Sequence, residues 1–169
     1  MPLPVMTSPA RSRAAVGALT SSSPRWGAAP TIIEVPYTIL SHTADTGIAA
    51  VGPTIGELLT ELATGMFGLM ATVADSPPHR SIEVTVRSAT VEDLIVDTLS
   101  ELLFRSEVDD LVFTHFDIDA TETSALVVAR GVDVRAAEPA GPPIKAVTYH
   151  DLAVGRSGGE WKATVYFDV

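Results

Sequence analysis

The sequence predicts an α+β fold: a single compact domain of mostly antiparallel β-sheet with two amphipathic helices. Three observations carry this. Two segments space apolar residues along one helical face, and five others are β-rich or alternate polar with apolar residues. Helices and strands also fail to alternate along the chain as a doubly wound sheet requires.

The first helix follows Thr54. Ile55, Leu58, Leu59, Leu62, Ala63, Met66, Phe67 and Met70 fall on one face. Thr54 and Glu57 have the spacing of a capping box, in which each side chain bonds the other's backbone N–H. The second helix follows Thr90. Val91, Leu94, Ile95, Leu99, Leu102 and Leu103 point inward, and Glu92, Asp93, Asp97, Glu101 and Arg105 point out. Its acids gather early, where the helix dipole favours negative charge.

The strands come next. Ile82, Val84 and Val86 alternate with Glu83, Thr85 and Arg87. Residues 111–119 and 124–134 are β-rich, the second run with an expected bend at Gly131. Residues 144–154 and 161–169 flank Gly155, Gly158 and Gly159, as the arms of a hairpin would. In the last run Trp161, Ala163, Val165 and Phe167 share one face, and Lys162, Thr164, Tyr166 and Asp168 the other.

A chain of 169 residues can bury a core unaided. It has no cysteine, which excludes disulfides, thiolate metal ligands and a cysteine nucleophile. No apolar run reaches the roughly 18 residues of a membrane span, so no membrane association is expected. The net charge is −10, unevenly spread: the first 33 residues hold three arginines and no acid, and the remaining 136 carry −13. Nucleic-acid affinity comes largely from basic residues displacing counterions, so a body this acidic argues against direct RNA binding. A hard cation or a basic protein surface is the more natural partner.

Residues 1–35 read as a separate tail and residues 36–169 as the domain. Of the first 30 residues, 18 are Ala, Ser, Pro or Gly with no apolar period. Such a segment buries too little surface to offset its ordering entropy, and disorder is expected. Its arginines without acids also suit a transit peptide, and an upstream translation start is a third reading. There is no apolar core of a secretory signal, and the cytoplasm is the expected location.

Three places can carry chemistry. His42 and Asp45 lie in His42-Thr43-Ala44-Asp45-Thr46-Gly47, between two short β-like runs, where a polar pair beside a glycine supplies ligands or simply makes a turn. Lys145-Ala146-Val147-Thr148-Tyr149-His150-Asp151 reads as a strand. Alternation puts Lys145, Val147, Tyr149 and Asp151 on one side, and Ala146, Thr148 and His150 on the other. There His150 is a hydrogen-bonded core histidine or a functional one. The chain closes on Asp168-Val169, where two adjacent carboxylates repel unless a cation sits between them or water separates them. Oxygen-only ligands suit Ca²⁺, Mg²⁺ or Mn²⁺. His79 and His115 have no partner at zinc spacing. No phosphate-binding loop, dinucleotide fingerprint or nucleophile elbow is present.

From Tyr37 to Val169 the chain resembles the archease family. The family's His-Thr-Ala-Asp-x-Gly motif is matched by His42 to Gly47, and its Thr-x-x-Glu-Leu helix start by Thr54 to Leu58. Its Lys-Ala-x-Thr-Tyr-His motif is matched by Lys145 to His150, its Gly-x-Trp hairpin by Gly159-Glu160-Trp161, and its terminal Asp by Asp168-Val169. Thr46 departs from the aliphatic residue of many relatives, and the first 36 residues have no counterpart.

The resemblance implies an archease-like fold and a divalent-cation site at Asp45, Asp168 and Val169, Val169 acting through main-chain or terminal oxygen. The cation is Ca²⁺ in the family, with Mn²⁺ or Mg²⁺ as alternatives. It also implies roles for His42, Lys145 and His150. The implied function is that of a non-catalytic activator of a GTP-dependent tRNA-splicing ligase, promoting ligase guanylylation and repeated turnover and meeting tRNA only through the ligase. A metal-dependent phosphoester hydrolase and a general chaperone are the competing classes.

Overall fold

In this computed structural model of the chain, residues 37–41, 46–74 and 76–169 are described. Both helices start where their caps place them. Glu57 N–H donates to Thr54 Oγ1 at 3.2 Å, and Thr54 N–H donates to Glu57 Oε2 at 3.1 Å, which completes the capping box of helix α1 (Ile55–Met70). Asp93 N–H donates to Thr90 Oγ1 at 3.1 Å and opens helix α2 (Val91–Val108).

Nine strands accompany them among the described residues: β1 (Tyr37–Ser41), β2 (Thr46–Gly52), β3 (Ala71–Val73), β4 (Arg80–Arg87), β5 (Leu111–Ala120), β6 (Ser124–Asp133), β7 (Ala137–Pro139), β8 (Ala146–Ser157) and β9 (Glu160–Asp168). They form a four-stranded sheet in the order β1-β2-β9-β8, a three-stranded sheet β4-β6-β5 and the small pair β3-β7. Every pairing is antiparallel, as an α+β fold requires. The β3-β7 pair has no counterpart among the runs read from sequence. At the expected bend, Gly131 and Arg130 stand opposite a register shift in β5, between Phe113 and His115.

Helix α1 packs against β2 and β5, and α2 against β8 and β5. The apolar face of α1 is buried from Ile55 to Phe67, with Met70 partly covered at its end. The four-stranded sheet sets Ile48, Ala50, Ala163, Val165 and Phe167 into the same core, so β9 alternates as its sequence predicts. Phe113 meets the Phe67 ring edge-on at a centroid separation of 5.4 Å and Phe116 meets it tilted at 5.6 Å, within the range of favourable aromatic contact. Among the described residues, no helix is long and apolar enough to cross a membrane.

Candidate functional site

The β8-β9 hairpin positions the site. Gly158 and Gly159 form its two-residue turn, with φ of 65° and 87°. Only glycine takes both angles without strain, and such turns match the twist of the flanking strands. From the turn the pairing runs regularly from Ser157↔Glu160 to Ala153↔Thr164. The next recorded pair is Thr148↔Tyr166, followed by Val147↔Phe167 and Ala146↔Asp168. Residues 149–152 of β8 therefore stand against Val165 alone. Without this bulge, the register of the turn would set Tyr149 opposite Asp168.

The bulge delivers Lys145 to the end of β9. Lys145 N–H donates to Asp168 O at 2.7 Å, and its ammonium donates to the main-chain oxygen of Val169 at 3.0 Å. The Asp168 carboxylate lies on the exposed face of β9, while the Val169 side chain packs against the core and fixes its backbone. Val169 also lines a cleft of about 220 Å³ with Ile39, Thr46, Leu69 and Ile144.

The His42–Gly47 motif reaches the same place through β2. Thr46 pairs with Phe167, and Gly47 with Tyr166. A Cβ at Gly47 would come 2.7 Å from Tyr166 Cδ1, so the motif's glycine lets the tyrosine ring lie over the strand. His42 and Asp45 themselves lie outside the described residues. In sequence Asp45 directly precedes Thr46, as Asp168 directly follows Phe167.

His150 corrects the strand reading. It is not a core histidine: it is exposed on the bulge, with Nε2 3.3 Å from Asp151 Oδ2. Asp151 has φ 49°, which breaks the alternation extrapolated through this segment. Lys145, Asp168 and Val169 are brought together, whereas His150 makes its recorded ion pair with its own neighbour.

Sequence reasoning missed one link. Tyr149 Oη donates to Asp93 Oδ1 at 3.0 Å, tying the bulge to the first turn of α2. The hydrogen bond to Asp93 holds the Tyr149 phenol above its ordinary pKa, because losing the proton would set two anions together. The residues are 56 apart, and no spacing rule joins them.

Among the described residues, no three His, Cys, Asp or Glu side chains gather as a metal site would need. His79 pairs with Asp133 at 3.1 Å, and His115 Nδ1 lies 2.9 Å from Thr114 Oγ1. The hydrogen bond from His79 is the main cause that holds the Asp133 carboxyl below its usual range.

The archease protein family is matched over residues 37–169. A protein archease of Methanosarcina mazei is 35% identical over 139 residues, covering 79% of this chain and 95% of its own. That of Methanopyrus kandleri is 30% identical over 142 residues, covering 80% and 100%. Two solved structures share the fold. A Methanobacterium thermoautotrophicum protein solved in solution has a TM-score of 0.68 and 23% identity over 80% of this chain and 99% of its own. A Thermotoga maritima crystal structure, described as an archease and possible chaperone, has a TM-score of 0.58 and 24% identity over 77% and 94%.

Proposed function

This chain belongs to the archease family, and from that premise we propose that it is a non-catalytic, cation-carrying activator of a GTP-dependent RNA-splicing ligase. The cation is assigned to Asp45, Asp168 and the main-chain or terminal oxygen of Val169. One observation carries the assignment: the β2-β9-β8 registers bring the strand that follows Asp45, the Asp168 carboxylate and Lys145 to one end of one sheet.

The donor set fits a hard ion. Every candidate ligand atom is oxygen, the chemistry of Ca²⁺, Mg²⁺ and Mn²⁺ sites. The Val169 oxygen accepts from the Lys145 ammonium, so an ion bound there would share this oxygen with the ammonium or displace it. A bound ion would supply concentrated positive charge on a body of net charge −13, and with it a point where anionic ligase or nucleotide groups dock. Lys145, beside that site, would contact an anionic group of the docked partner, a phosphate or a ligase carboxylate. An acidic body without a phosphate-binding loop stays off RNA, which it would meet through the ligase.

The test is transfer of labelled GMP to the cognate ligase under limiting Mn²⁺. The protein is expected to accelerate it, and Asp45→Ala, Asp168→Ala and Lys145→Ala to lose the acceleration while keeping the fold. Equal labelling with and without the protein defeats the activator reading. Asp45→Ala is further expected to abolish the rise in melting temperature produced by Ca²⁺ or Mn²⁺; an unchanged shift defeats the ligand assignment. The description of the Thermotoga maritima structure favours a second reading as a chaperone. A pull-down separates the two, since an activator recovers one ligase and a chaperone many clients.

A further inference from the structure

Strand β4 is an edge of its sheet: β6 covers one side, and among the described residues no strand covers the other. On the open side lies a groove walled by α2 and lined by Thr85, Arg87, Glu83, Asp97 and Phe104. Phe104 is 52% exposed there, unusual for a phenylalanine in mid-helix. Ser88 Oγ donates to Asp97 Oδ2 at 2.6 Å and ties the end of the strand to the helix. Glu83 and Arg87 make no ion pair among the described residues.

We infer that the β4 edge pairs with the β4 edge of a second copy of this chain, antiparallel about a two-fold axis through Thr85. The argument is self-complementarity. Ser88 N–H donates to Thr123 O at 3.0 Å, continuing the β4-β6 register that pairs Arg87 with Ser124. Hydrogen-bonded residues alternate along an antiparallel ladder. Val86, Val84 and Ile82 therefore turn their main-chain groups to β6, and Arg87, Thr85, Glu83 and Ser81 turn theirs to the open side.

With Thr85 on the axis, the outward residues meet as Glu83 with Arg87 of the copy, Thr85 with Thr85, and Arg87 with Glu83. Each of these is a hydrogen-bonded pair, so the main-chain groups satisfy one another. The charges are opposite at both ends and the threonines face each other, all favourable cross-strand pairs. Val84 and Val86 meet on the inner face, continuing the apolar side of both sheets. Other registers lose this. An axis through Glu83 or through Arg87 sets like charges directly opposite, which is destabilising. Charges on an edge strand ordinarily block pairing; here their order permits one closed, isologous partner and no extended fibre.

Light scattering and sedimentation of the full chain over a concentration series test this. A concentration-dependent dimer is expected. Arg87→Glu sets a carboxylate against Glu83 at both ends and should raise the dissociation constant by about tenfold or more. Glu83→Arg combined with Arg87→Glu reverses both charges, restores the pairing and should recover the dimer. Circular dichroism and melting temperature establish that each variant is folded, as both positions are exposed. A chain that stays monomeric at high concentration overturns the inference. So does a dimer indifferent to the single reversal, or one that the double reversal fails to rescue.

Discussion

The two ends of the β8-β9 hairpin are built by different rules. At the turn, backbone geometry decides: two glycines at positive φ and an unbroken register from Ser157 to Ala153. At the open end the register has slipped, and the slip sets Ala146 rather than Tyr149 opposite Asp168, with Lys145 bonded to the Asp168 carbonyl and the Val169 oxygen. The turn end pairs the strands in one register; residues 149–152 give up pairing, and the open end pairs again in a shifted register. Bulges re-aim side chains beside sites in many sheets, and this one sets four residues of β8 against one of β9.

The largest effect separates two adjacent residues of β9. Phe167 is fully buried and Asp168 is exposed. Phe167→Ala removes a packed ring and should cost about 3–5 kcal/mol of stability, read as a fall in the urea midpoint. Asp168→Ala should stay within about 0.5 kcal/mol in the absence of divalent cation. Its loss should appear only as a missing cation-induced rise in melting temperature. If both variants are equally unstable without cation, the open end is a packing element and the contrast fails.

A smaller effect tests the turn. Gly159→Ala forces a Cβ into φ 87° and should cost about 1 kcal/mol or more. Gly155→Ala, four residues away in β8, meets no atom within 4 Å and has no positive φ. It should be neutral or slightly stabilising in the same denaturation experiment. Equal losses at the two glycines would mean that strand composition, rather than turn geometry, sets the hairpin.

This division also marks what the sequence could disclose. Helix α1 was legible because one apolar face and one cap specify it, and β9 because its alternation is unbroken from Trp161 to Asp168. The β3-β7 pair was illegible: three residues a side carry no period. The bulge was illegible because alternation extrapolates straight through residues 149–152, and it set His150 on a buried face that it does not occupy. A hairpin could be foreseen from the glycines. The meeting of Lys145 with Asp168 and Val169 could not, since a regular count from the turn gives the wrong partner. The grouping of these residues came from family resemblance, and their proximity from the register.

The smallest effect concerns what holds the bulge. Tyr149 is 56% exposed, and its hydroxyl donates to Asp93 at the start of α2. Tyr149→Phe removes one solvent-accessible hydrogen bond and should change global stability by no more than about 0.5–1 kcal/mol. Locally it should do more. Residues 149–152 have no regular ladder to retain them, so their amides should exchange hydrogen faster in the variant, while those of residues 153–157 should not change. The same link has a pH dependence of definite sign. The phenol's pKa is raised in the folded state, because its neutral form donates to the Asp93 carboxylate. Its stabilising contribution is therefore complete below the ordinary tyrosine pKa of about 10 and is lost as pH rises through the folded value. Exchange at the bulge should accelerate beyond its intrinsic base catalysis over that alkaline range in the native chain. In Tyr149→Phe the additional acceleration should be absent. An identical alkaline profile in both proteins would show that the strand ends, and not the tyrosine, hold the bulge.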